Sequence, residues 1–462
     1  MNKMKIALIN VGFEKGNKNV LVSPPLGIMC IGAVLKREGL EVALFDWSGE
    51  DLDAHKHDLL IGFRPDVVGL TVIIGTSILR SIEVSQWSRD IRAKVVWGGP
   101  CPSVLPEMVL RDAPVDFVAV GEGEQTMIDL VRVLESRGDP KTVDGLAFLH
   151  NGVPIRTAPR GRVMDLNQLP MPMWQELGDL SKYLIAYHHR KAIPMVTSRG
   201  CPGTCAFCYT KNMWGYRWTS RSAEKVVAEI QLIMKLDSRI TAFIFDDDLF
   251  AGDPGRITDF CDLLISRRMD IKWNCEIRAR DITADLVRKM KAAGCEELLL
   301  GVETGSQRLL DKLCKGVRIE KILEAFDIAH QEGMKAIAML MVGLPGETME
   351  DFKATDDMLR KIKADGFYFS LYIPSPGTAF LEESKNYGFE EPKDLKGWAE
   401  MGNFDVEAYD GRSLSKVPRK YVDAMIHREL QRVRRNHNWA AFRSDPAGAI
   451  LRATKRRLSV GK

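Results

Sequence analysis

Apolar and polar positions alternate in two long blocks, the first of which covers residues 1 to about 135. Its apolar runs are KIALIN, EVALFDW, DVVGLTVII, KVVWGGP and VDFVAV, separated by stretches with helical spacing. Strands built almost entirely from Val, Ile, Leu and Phe are typical of parallel sheets, because helices cover both faces of such sheets. The pattern predicts a doubly wound, Rossmann-like α/β domain over residues 1–135.

Small and polar residues follow the strands of this first block. Ligands of open α/β sheets bind beyond the carboxyl ends of the strands, and glycine lets a backbone approach a large ligand closely. Tight strand-to-helix turns are the alternative reason for each glycine. The candidate binding residues are Thr71, Thr76, Ser77, Gly98, Gly99, Gly121, Glu122 and Gly123.

A second alternation covers residues 191–385, after a segment, 136–190, that has no clear periodicity and reads as a linker between domains. Six apolar strands are each followed by a helix, which predicts a partial (β/α)6 barrel of the TIM type with functional groups at the strand C-termini. The strands are PMVTSRG, TAFIFDDD, IKWNCEIRAR, ELLLGVE, AIAMLMVGLPGE and FYFSLYIPSPGT. Five of the helices are expected at about 222–236, 254–267, 283–293, 319–332 and 349–363.

The remaining residues, 386–462, are expected to form a small C-terminal region that ends in a basic helical tail. From position 416 onward there are 13 Lys and Arg against three Asp and Glu, so the tail carries +10 and the rest of the chain −7. The basic charge fits a solvated helix face, an anionic membrane surface, or an acidic substrate or carrier.

Composition places the chain among ordinary globular proteins, and three features of the sequence add to this prediction. A length of 462 residues predicts two or three domains. The opening MNKMKIALIN enters a strand directly, with no signal peptide and no apolar run long enough to span a membrane, so we expect a cytoplasmic protein. The nine cysteines do not have the paired spacing of a secreted disulfide framework.

Three of the cysteines, Cys201, Cys205 and Cys208, form a CxxxCxxC motif just after the first strand of the second block. Thiolates are the preferred ligands of Fe–S clusters, and three of them leave one iron of a [4Fe–4S] cluster open. A structural zinc site normally needs four ligands, and the nearest histidines lie on the other side of the strand. A disulfide would leave one cysteine over. The motif therefore predicts an iron–sulfur cluster.

The motif, with Phe207 before its third cysteine, resembles the signature of the radical S-adenosylmethionine (SAM) superfamily. The segments FIFDDDLF, WNCEIRAR, GVETGSQ, GLPGE and IPSPGT resemble, in order, the second to sixth barrel strand ends of the subfamily with an N-terminal cobalamin-binding domain. The resemblance implies that SAM binds the open iron and is cleaved by one electron to methionine and a 5′-deoxyadenosyl radical.

The same resemblance implies which residues contact SAM, with Phe207 near the adenine. It places further residues where they hold the cofactor or line the barrel cavity: Asp246, Asp247, Asp248, Arg278, Glu303, Gly343 and Gly346. A zwitterionic cofactor needs an Arg for its carboxylate and acids for its ammonium or ribose hydroxyls. The alternative is that Arg278 and Glu303 form a structural ion pair inside the barrel.

The first block resembles the cobalamin-binding domain of this subfamily through SPPLGI, WGGP and VGEGEQT. It departs from the DxHxxG signature whose histidine ligates cobalt, because DWSGED follows Phe45, and Cys101 stands where many relatives have histidine. The subfamily often holds cobalamin with no protein ligand below the cobalt. The resemblance then implies that the loop from Thr71 to Ser77 faces the lower side of the corrin.

These resemblances imply an enzyme, most directly a cobalamin-dependent methyltransferase acting on an unactivated carbon of a small biosynthetic substrate. The implied partners are that substrate and a reductant such as flavodoxin or ferredoxin, without nucleic acid. Radical cyclisation or rearrangement of the anaerobic cyclase type remains an alternative. A non-enzymatic Fe–S sensor or electron carrier is a second alternative, and it would not need contacts to SAM.

Overall fold

The computed structural model describes residues 3–14, 22–402 and 406–436, which form two compact units. Within the described residues, the first unit contains the chain up to Lys182, a short piece at Asn212–Trp214, and residues 391–402. The second contains Tyr183–Lys211, Gly215–Glu390 and residues 406–436. None of the described helices has both the length and the apolar character that a transmembrane span requires.

The first unit is built on a seven-stranded sheet whose five leading strands are parallel, as the apolar runs predict. The sheet order is β2-β1-β3-β4-β5-β6-β7. Its strands are β1 (Lys5–Asn10), β2 (Glu41–Asp46), β3 (Val67–Thr71), β4 (Lys94–Gly98), β5 (Phe117–Ala119), β6 (Leu146–His150) and β7 (Val153–Arg156). Its helices are α1 (Leu26–Arg37), α2 (Ala54–Phe63), α3 (Ser77–Asp90), α4 (Pro100–Val104), α5 (Pro106–Asp112) and α6 (Gly123–Ser136).

The predicted linker, 136–190, differs from the prediction because it contributes strands. Strands β6 and β7 extend the first sheet in antiparallel orientation, and Phe117 of β5 lies opposite Phe148 of β6. Both aromatic side chains join the core of the first unit, together with Ile6, Leu8 and Val67. The segment carries its apolar residues in runs too short for periodicity to identify them, which is why the sequence pattern missed these strands.

The second unit contains a curled sheet of six parallel strands with one antiparallel strand at its edge. The order is β16-β15-β14-β13-β12-β9-β8, and β10 and β11 form a separate antiparallel pair. The strands are β8 (Ile185–Tyr187), β9 (Arg190–Met195), β10 (Ser198–Arg199), β11 (Thr219–Ser220), β12 (Ile240–Phe245), β13 (Lys272–Ile277), β14 (Cys295–Glu303), β15 (Lys335–Val342) and β16 (Gly366–Leu371).

The predicted barrel helices are confirmed to within one residue at each end, and α11 and the short α7 add to them. Their starts carry side-chain caps: Ser222 accepts from the N–H of Lys225, and Thr348 forms a capping box with Asp351. The helices are α7 (Thr210–Trp214), α8 (Ala223–Leu236), α9 (Pro254–Ser266), α10 (Ala284–Ala292), α11 (Gln307–Lys312), α12 (Ile319–Gln331), α13 (Met349–Ile362) and α14 (Ala379–Lys385).

The C-terminal region is divided between the two units instead of forming a region of its own. It contains α15 (Leu395–Glu400), α16 (Tyr409–Arg412) and α17 (Arg419–Asn436). Helix α15 packs on α3 and α5 of the first unit, whereas α17 packs on β16 of the second. The basic tail beyond residue 436 lies outside the described residues.

Candidate functional site

The three cysteines lie on one loop between β10 and α7. The sulfurs of Cys201 and Cys205 flank Gly203, where a Cβ atom would stand 3.2 Å from one and 3.9 Å from the other. The sulfur of Cys208 lies 3.0 Å from Thr210 Oγ1. Burial raises the pKa of Cys205 and Cys208, so these thiols become thiolates most readily when bound iron compensates their charge.

Within the described residues, no group of three or more His, Cys, Asp or Glu side chains is arranged to hold a single metal ion. A cubane differs from a zinc site in this respect, because each cysteine sulfur binds its own iron and the sulfurs stand further apart. Three cysteine ligands would leave one iron of such a cluster open.

Asp248 ties together the two ends of the cysteine loop. One carboxylate oxygen accepts a hydrogen bond from the N–H of Gly200 at 3.0 Å, just before the first cysteine. The other accepts from the Thr210 hydroxyl at 3.1 Å, just after the third. The middle of the loop is held as well, since the N–H of Ala206 donates to the carbonyl of Leu313 at 2.8 Å. The loop is therefore fixed before any ligand binds.

Asp247 lies behind the loop and not in the cavity, although the resemblance implied that it contacts SAM. Its carboxylate is 1 % exposed and accepts hydrogen bonds from the backbone N–H groups of Thr197 (2.8 Å) and Ser198. Arg256 donates to the Thr197 hydroxyl at 2.5 Å and supplies compensating positive charge. Asp247 therefore anchors the chain where it enters the cysteine loop.

Glu303 is paired with Lys315, a residue that lies in no recognisable sequence motif. The register between β14 and β15 shifts at Gly301/Glu303, and Glu303 has φ of 65°. Such a bulge redirects a side chain at a strand end. Burial alone would lower the pKa of Lys315, but Glu303 and the nearby thiolate of Cys205 outweigh it, so the pKa is raised and the amine stays charged.

Lys315 also lies near the aromatic residue of the motif, with its amine 5.9 Å from the centroid of the Phe207 ring. Phe207 packs beside Leu313 and Phe380 at the edge of an apolar cluster. A buried cation, a carboxylate and an aromatic face thus converge beside the cysteine loop. These are the three kinds of group that a zwitterionic nucleoside cofactor needs.

Arg278 does not pair with Glu303, so the alternative of a structural ion pair between them is wrong. Its Nε and Nη2 atoms instead donate to Asp281, at 2.5 and 3.1 Å. Its third nitrogen, Nη1, is buried and has no hydrogen-bond partner among the described residues.

Gly343 and Gly346 have φ values of 79° and 71°, a backbone conformation that favours glycine. The space beside both is taken by the chain itself. A Cβ atom on Gly343 would stand 2.7 Å from a methyl group of Leu371 and 3.2 Å from the hydroxyl of Ser413, and one on Gly346 would stand 2.6 Å from the Tyr387 ring. Internal packing therefore accounts for both glycines without a cofactor.

In the first unit, the candidate residues lie at the carboxyl ends of the neighbouring strands β3, β4 and β5. One of them offers a polar group, because the Thr76 hydroxyl is buried without a hydrogen-bond partner among the described residues. Another offers space, because nothing lies within 4 Å of a Cβ built on Gly121. Gly99 has φ of 95° and packs closely on Thr71, where a Cβ would stand 3.0 Å from the hydroxyl. Gly98 has only ordinary contacts. This edge of the sheet has room and a free polar group for a ligand.

The other candidates in this unit have internal roles. The Ser77 hydroxyl donates to the carbonyl of Ile73 at 2.7 Å, and Glu122 accepts from the N–H of Val163 at 2.6 Å. A Cβ on Gly123 would stand 2.8 Å from Ile31. Cys101 is fully buried, so its sulfur is not exposed to a ligand at this edge of the sheet, and burial raises the pKa of its thiol to about 12.

Two family domains match the chain in the same order as the two units. Residues 18–131 match the B12 binding domain, and residues 195–359 match the radical SAM superfamily. The chain is also 30% identical over 391 residues to an uncharacterized methyltransferase of Pyrococcus horikoshii, a match that covers 83% of each protein.

The chain belongs to the radical SAM superfamily, in the branch with an N-terminal B12-binding domain.

A second curated protein and a solved structure are also similar to this chain. The anaerobic magnesium-protoporphyrin IX monomethyl ester cyclase of Rubrivivax gelatinosus is 29% identical over 394 residues, covering 82% of this chain and 70% of that one. The radical SAM methyltransferase TsrM of Kitasatospora setae, solved with cobalamin and a [4Fe–4S] cluster, has the same fold, with a TM-score of 0.71. That match has 18% identity and covers 87% of this chain and 84% of TsrM.

Membership of this radical SAM branch confirms several predictions made from the sequence. The Rossmann-like domain followed by a partial barrel is confirmed, as is the assignment to an enzyme family. The cofactor set of the family is also the predicted one: a [4Fe–4S] cluster, SAM and cobalamin.

Proposed function

We propose that the chain cleaves SAM reductively at a [4Fe–4S] cluster held by Cys201, Cys205 and Cys208, and methylates a carbon of a small biosynthetic molecule with the help of cobalamin. When bound, the cluster supplies the electron that cleaves SAM to methionine and a 5′-deoxyadenosyl radical, and cobalamin carries the methyl group. The observation that carries the proposal is the fixed cysteine loop beside the Glu303–Lys315 pair.

Each group beside the loop has a task toward SAM. Lys315 offers a charged donor to the cofactor's carboxylate, and Glu303 offers an acceptor to its ammonium group or ribose hydroxyls. Phe207 provides an apolar face for the adenine. Asp248 acts through the loop and keeps the three sulfurs together. Asp247, Gly343 and Gly346 have internal partners that already explain them, so we do not assign them to the cofactor.

Toward cobalamin, the chain offers the carboxyl edge of β3, β4 and β5. The buried hydroxyl of Thr76 can hydrogen-bond a polar substituent of the cofactor, and the open space at Gly121 admits a large ligand. No histidine stands in DWSGED and Cys101 is buried, so the first unit has no residue at these two positions that would ligate cobalt from below.

Ring closure or rearrangement is the second candidate, favoured by the 29% identity to the magnesium-protoporphyrin cyclase of Rubrivivax gelatinosus. The two reactions differ in product mass, since methylation adds one CH2 unit and rearrangement adds none. Mass analysis of the product separates them. An Fe–S sensor or electron carrier would produce no 5′-deoxyadenosine.

The deciding experiment reconstitutes the protein anaerobically and supplies electrons from a flavodoxin- or ferredoxin-type reductant. We expect 5′-deoxyadenosine and methionine to form, and a spectrum with separate corrin and cluster absorption. A variant with Cys201, Cys205 and Cys208 all changed to Ala is expected to lose cluster iron and keep cobalamin.

The matched control is Cys314→Ala, which removes an exposed cysteine outside the cysteine loop. Cys314 lies close to that loop, since its backbone carbonyl is 3.5 Å from the hydroxyl of Thr204. It is expected to keep its iron. Iron at the wild-type level in the triple variant would contradict the assignment of the cluster ligands.

A further inference from the structure

Strand β13 carries a line of polar residues on the face that points into the barrel. Glu276 faces inward, because Trp273, three positions earlier on the same strand, packs on Phe260 of the covering helix α9 and so marks the outer face. Side chains two residues apart in a strand share a face. Asn274 therefore lies on the same face, and so does Arg278, whose backbone is still extended with φ of −80° and ψ of 140°.

This line contains two polar atoms that no described residue satisfies. Asn274 Oδ1 and Arg278 Nη1 are both buried without a hydrogen-bond partner among the described residues. A buried donor or acceptor without a partner is costly, so it usually marks the site of a water, an ion or a ligand. The Arg278 side chain as a whole is 24% exposed to solvent, so a molecule that enters the barrel can reach it.

Among the described residues, Lys315 and Arg278 are cations of the barrel that have different neighbours. Lys315 lies beside the cysteine loop, with its amine 5.9 Å from the centroid of the Phe207 ring. SAM must bring its carboxylate to the open iron, so Lys315 is the cation placed to meet it. Arg278 is paired with Asp281 on the turn that follows β13 and is left with one unused donor.

We propose that Arg278 binds an anionic group, a carboxylate or a phosphate, of the substrate molecule and not the carboxylate of SAM. The inference rests on the proposed function, since it assumes that SAM occupies the region beside the cysteine loop. Asp281 acts as a positioning residue, because its two hydrogen bonds fix the guanidinium and leave Nη1 directed elsewhere. The substrate class is therefore a small organic acid or a phosphorylated compound.

The test uses the reconstituted holoenzyme with saturating SAM, so that the cofactor's own carboxylate site is filled. Inorganic phosphate and acetate serve as probes, and chloride at the same ionic strength is the reference salt. The measurement is the shift in the midpoint of protein unfolding that each probe causes relative to chloride. We expect one of the two anions to raise the midpoint of the wild type and to have no effect on Arg278→Gln. The anion that acts identifies the group as phosphate or carboxylate.

A second readout separates the substrate role from a role in binding SAM. Formation of 5′-deoxyadenosine without substrate is expected to fall by at least about tenfold in Lys315→Met, which loses a charged hydrogen bond to SAM, and to change less than about threefold in Arg278→Gln. Equal losses in the two variants would assign Arg278 to SAM and overturn the inference. So would an anion effect that is the same in wild type and Arg278→Gln.

Two further variants control for folding. Asp281→Asn keeps the guanidinium but weakens its positioning, so it is expected to reduce the anion effect less than Arg278→Gln does; an anion effect reduced equally in both variants would overturn the assignment to Arg278. If Arg278→Gln does not fold, Arg278→Lys, which keeps the charge but lacks Nη1, is expected to show a weaker anion effect. A wild type that makes no 5′-deoxyadenosine contradicts the proposed function instead, and the anion measurement then decides the role of Arg278 alone.

Discussion

Single acidic residues at the strand ends have different tasks although they look alike in the sequence. In the run of three acids after β12, Asp246 is exposed, Asp247 is buried under the entry to the cysteine loop, and Asp248 closes that loop. Burial determines the difference, because a buried carboxylate must be satisfied by several donors whereas an accessible one is free to meet a ligand.

Asp247→Asn is expected to reduce the iron content of the reconstituted protein. The change removes the charge that balances Arg256 and weakens the bonds to Thr197 and Ser198, each charge-assisted bond being worth about 1.5–3 kcal/mol. The measurement is iron per chain together with the unfolding midpoint. Asp246→Asn is the control, and equal iron in the two variants would contradict the anchoring role.

Glu276 gives the folded protein a distinctive dependence on pH. Burial and the charges of Asp246 and Glu303 raise its pKa from the ordinary 4.5 to about 8. Between these values the folded chain keeps a proton that the unfolded chain has lost, so this group makes stability fall as the pH rises.

Glu276→Gln mimics the protonated form and is expected to stabilise the protein at pH 8 relative to pH 5. One pKa unit corresponds to about 1.4 kcal/mol, so we expect a relative gain of more than about 1 kcal/mol. Denaturant midpoints at both pH values measure it, with the exposed Glu320→Gln as control. Parallel stability curves for wild type and Glu276→Gln would show that the carboxyl is not held protonated.

At the scale of elements, residues 391–402 return to the first unit and pack against the loop after β3. Helix α15 buries Trp398 completely, and the N–H of Leu395 donates to Asp112 at 3.0 Å. The backbone at Gly402 lies directly on Gly75, because a Cβ on Gly402 would stand only 2.3 Å from the Gly75 Cα. The return segment thus fixes the loop that is proposed to face cobalamin.

Gly402→Ala is expected to loosen this contact, because backbone atoms cannot yield as a flexible side chain can. Overpacking of this kind costs about 1–3 kcal/mol. We expect faster limited proteolysis between residues 386 and 402 and weaker retention of cobalamin. Gly411→Ala is the matched control, since a Cβ there meets nothing within 4 Å. Equal proteolysis of both variants would contradict the close contact.

At the scale of the whole molecule, the chain does not form its two units strictly one after the other. It builds the first unit up to Lys182, most of the second from Tyr183 to Glu390, and then returns to the first through residues 391–402. The first unit therefore needs a segment that lies far along the sequence. Opposite charges are also separated, with −7 on residues 1–415 and +10 after them.

Truncation after residue 437 is expected to reduce sedimentation with anionic vesicles, because it removes much of this basic charge. Helix α15 remains in that variant, so its cofactor content is expected to stay at the wild-type level. Truncation after residue 385 is the contrasting variant and is expected to destabilise the first unit. Unchanged sedimentation after the shorter truncation would contradict a membrane contact of the tail.

The fold class and the kind of chemistry both follow from local patterns in the sequence. Apolar runs that alternate with helical spacing specify parallel strands with helices between them, and five helix positions follow to within one residue because capping and periodicity are local signals. The CxxxCxxC motif is equally local, since three ligands on one loop need no distant partner. Phe207 and Glu303 were predicted to contact SAM from the resemblance to the radical SAM superfamily.

Only the tertiary structure decided which residues meet. Lys315 lies in no motif, and its pairing with Glu303 depends on a bulge that brings two elements together. Asp247 is bound by Thr197 and Ser198, and Arg278 by Asp281, because burial and the nearest donor or acceptor are properties of packing, not of spacing. Strands β6 and β7 and the return of residues 391–402 were missed for the same reason: short segments take their structure from the surfaces on which they pack.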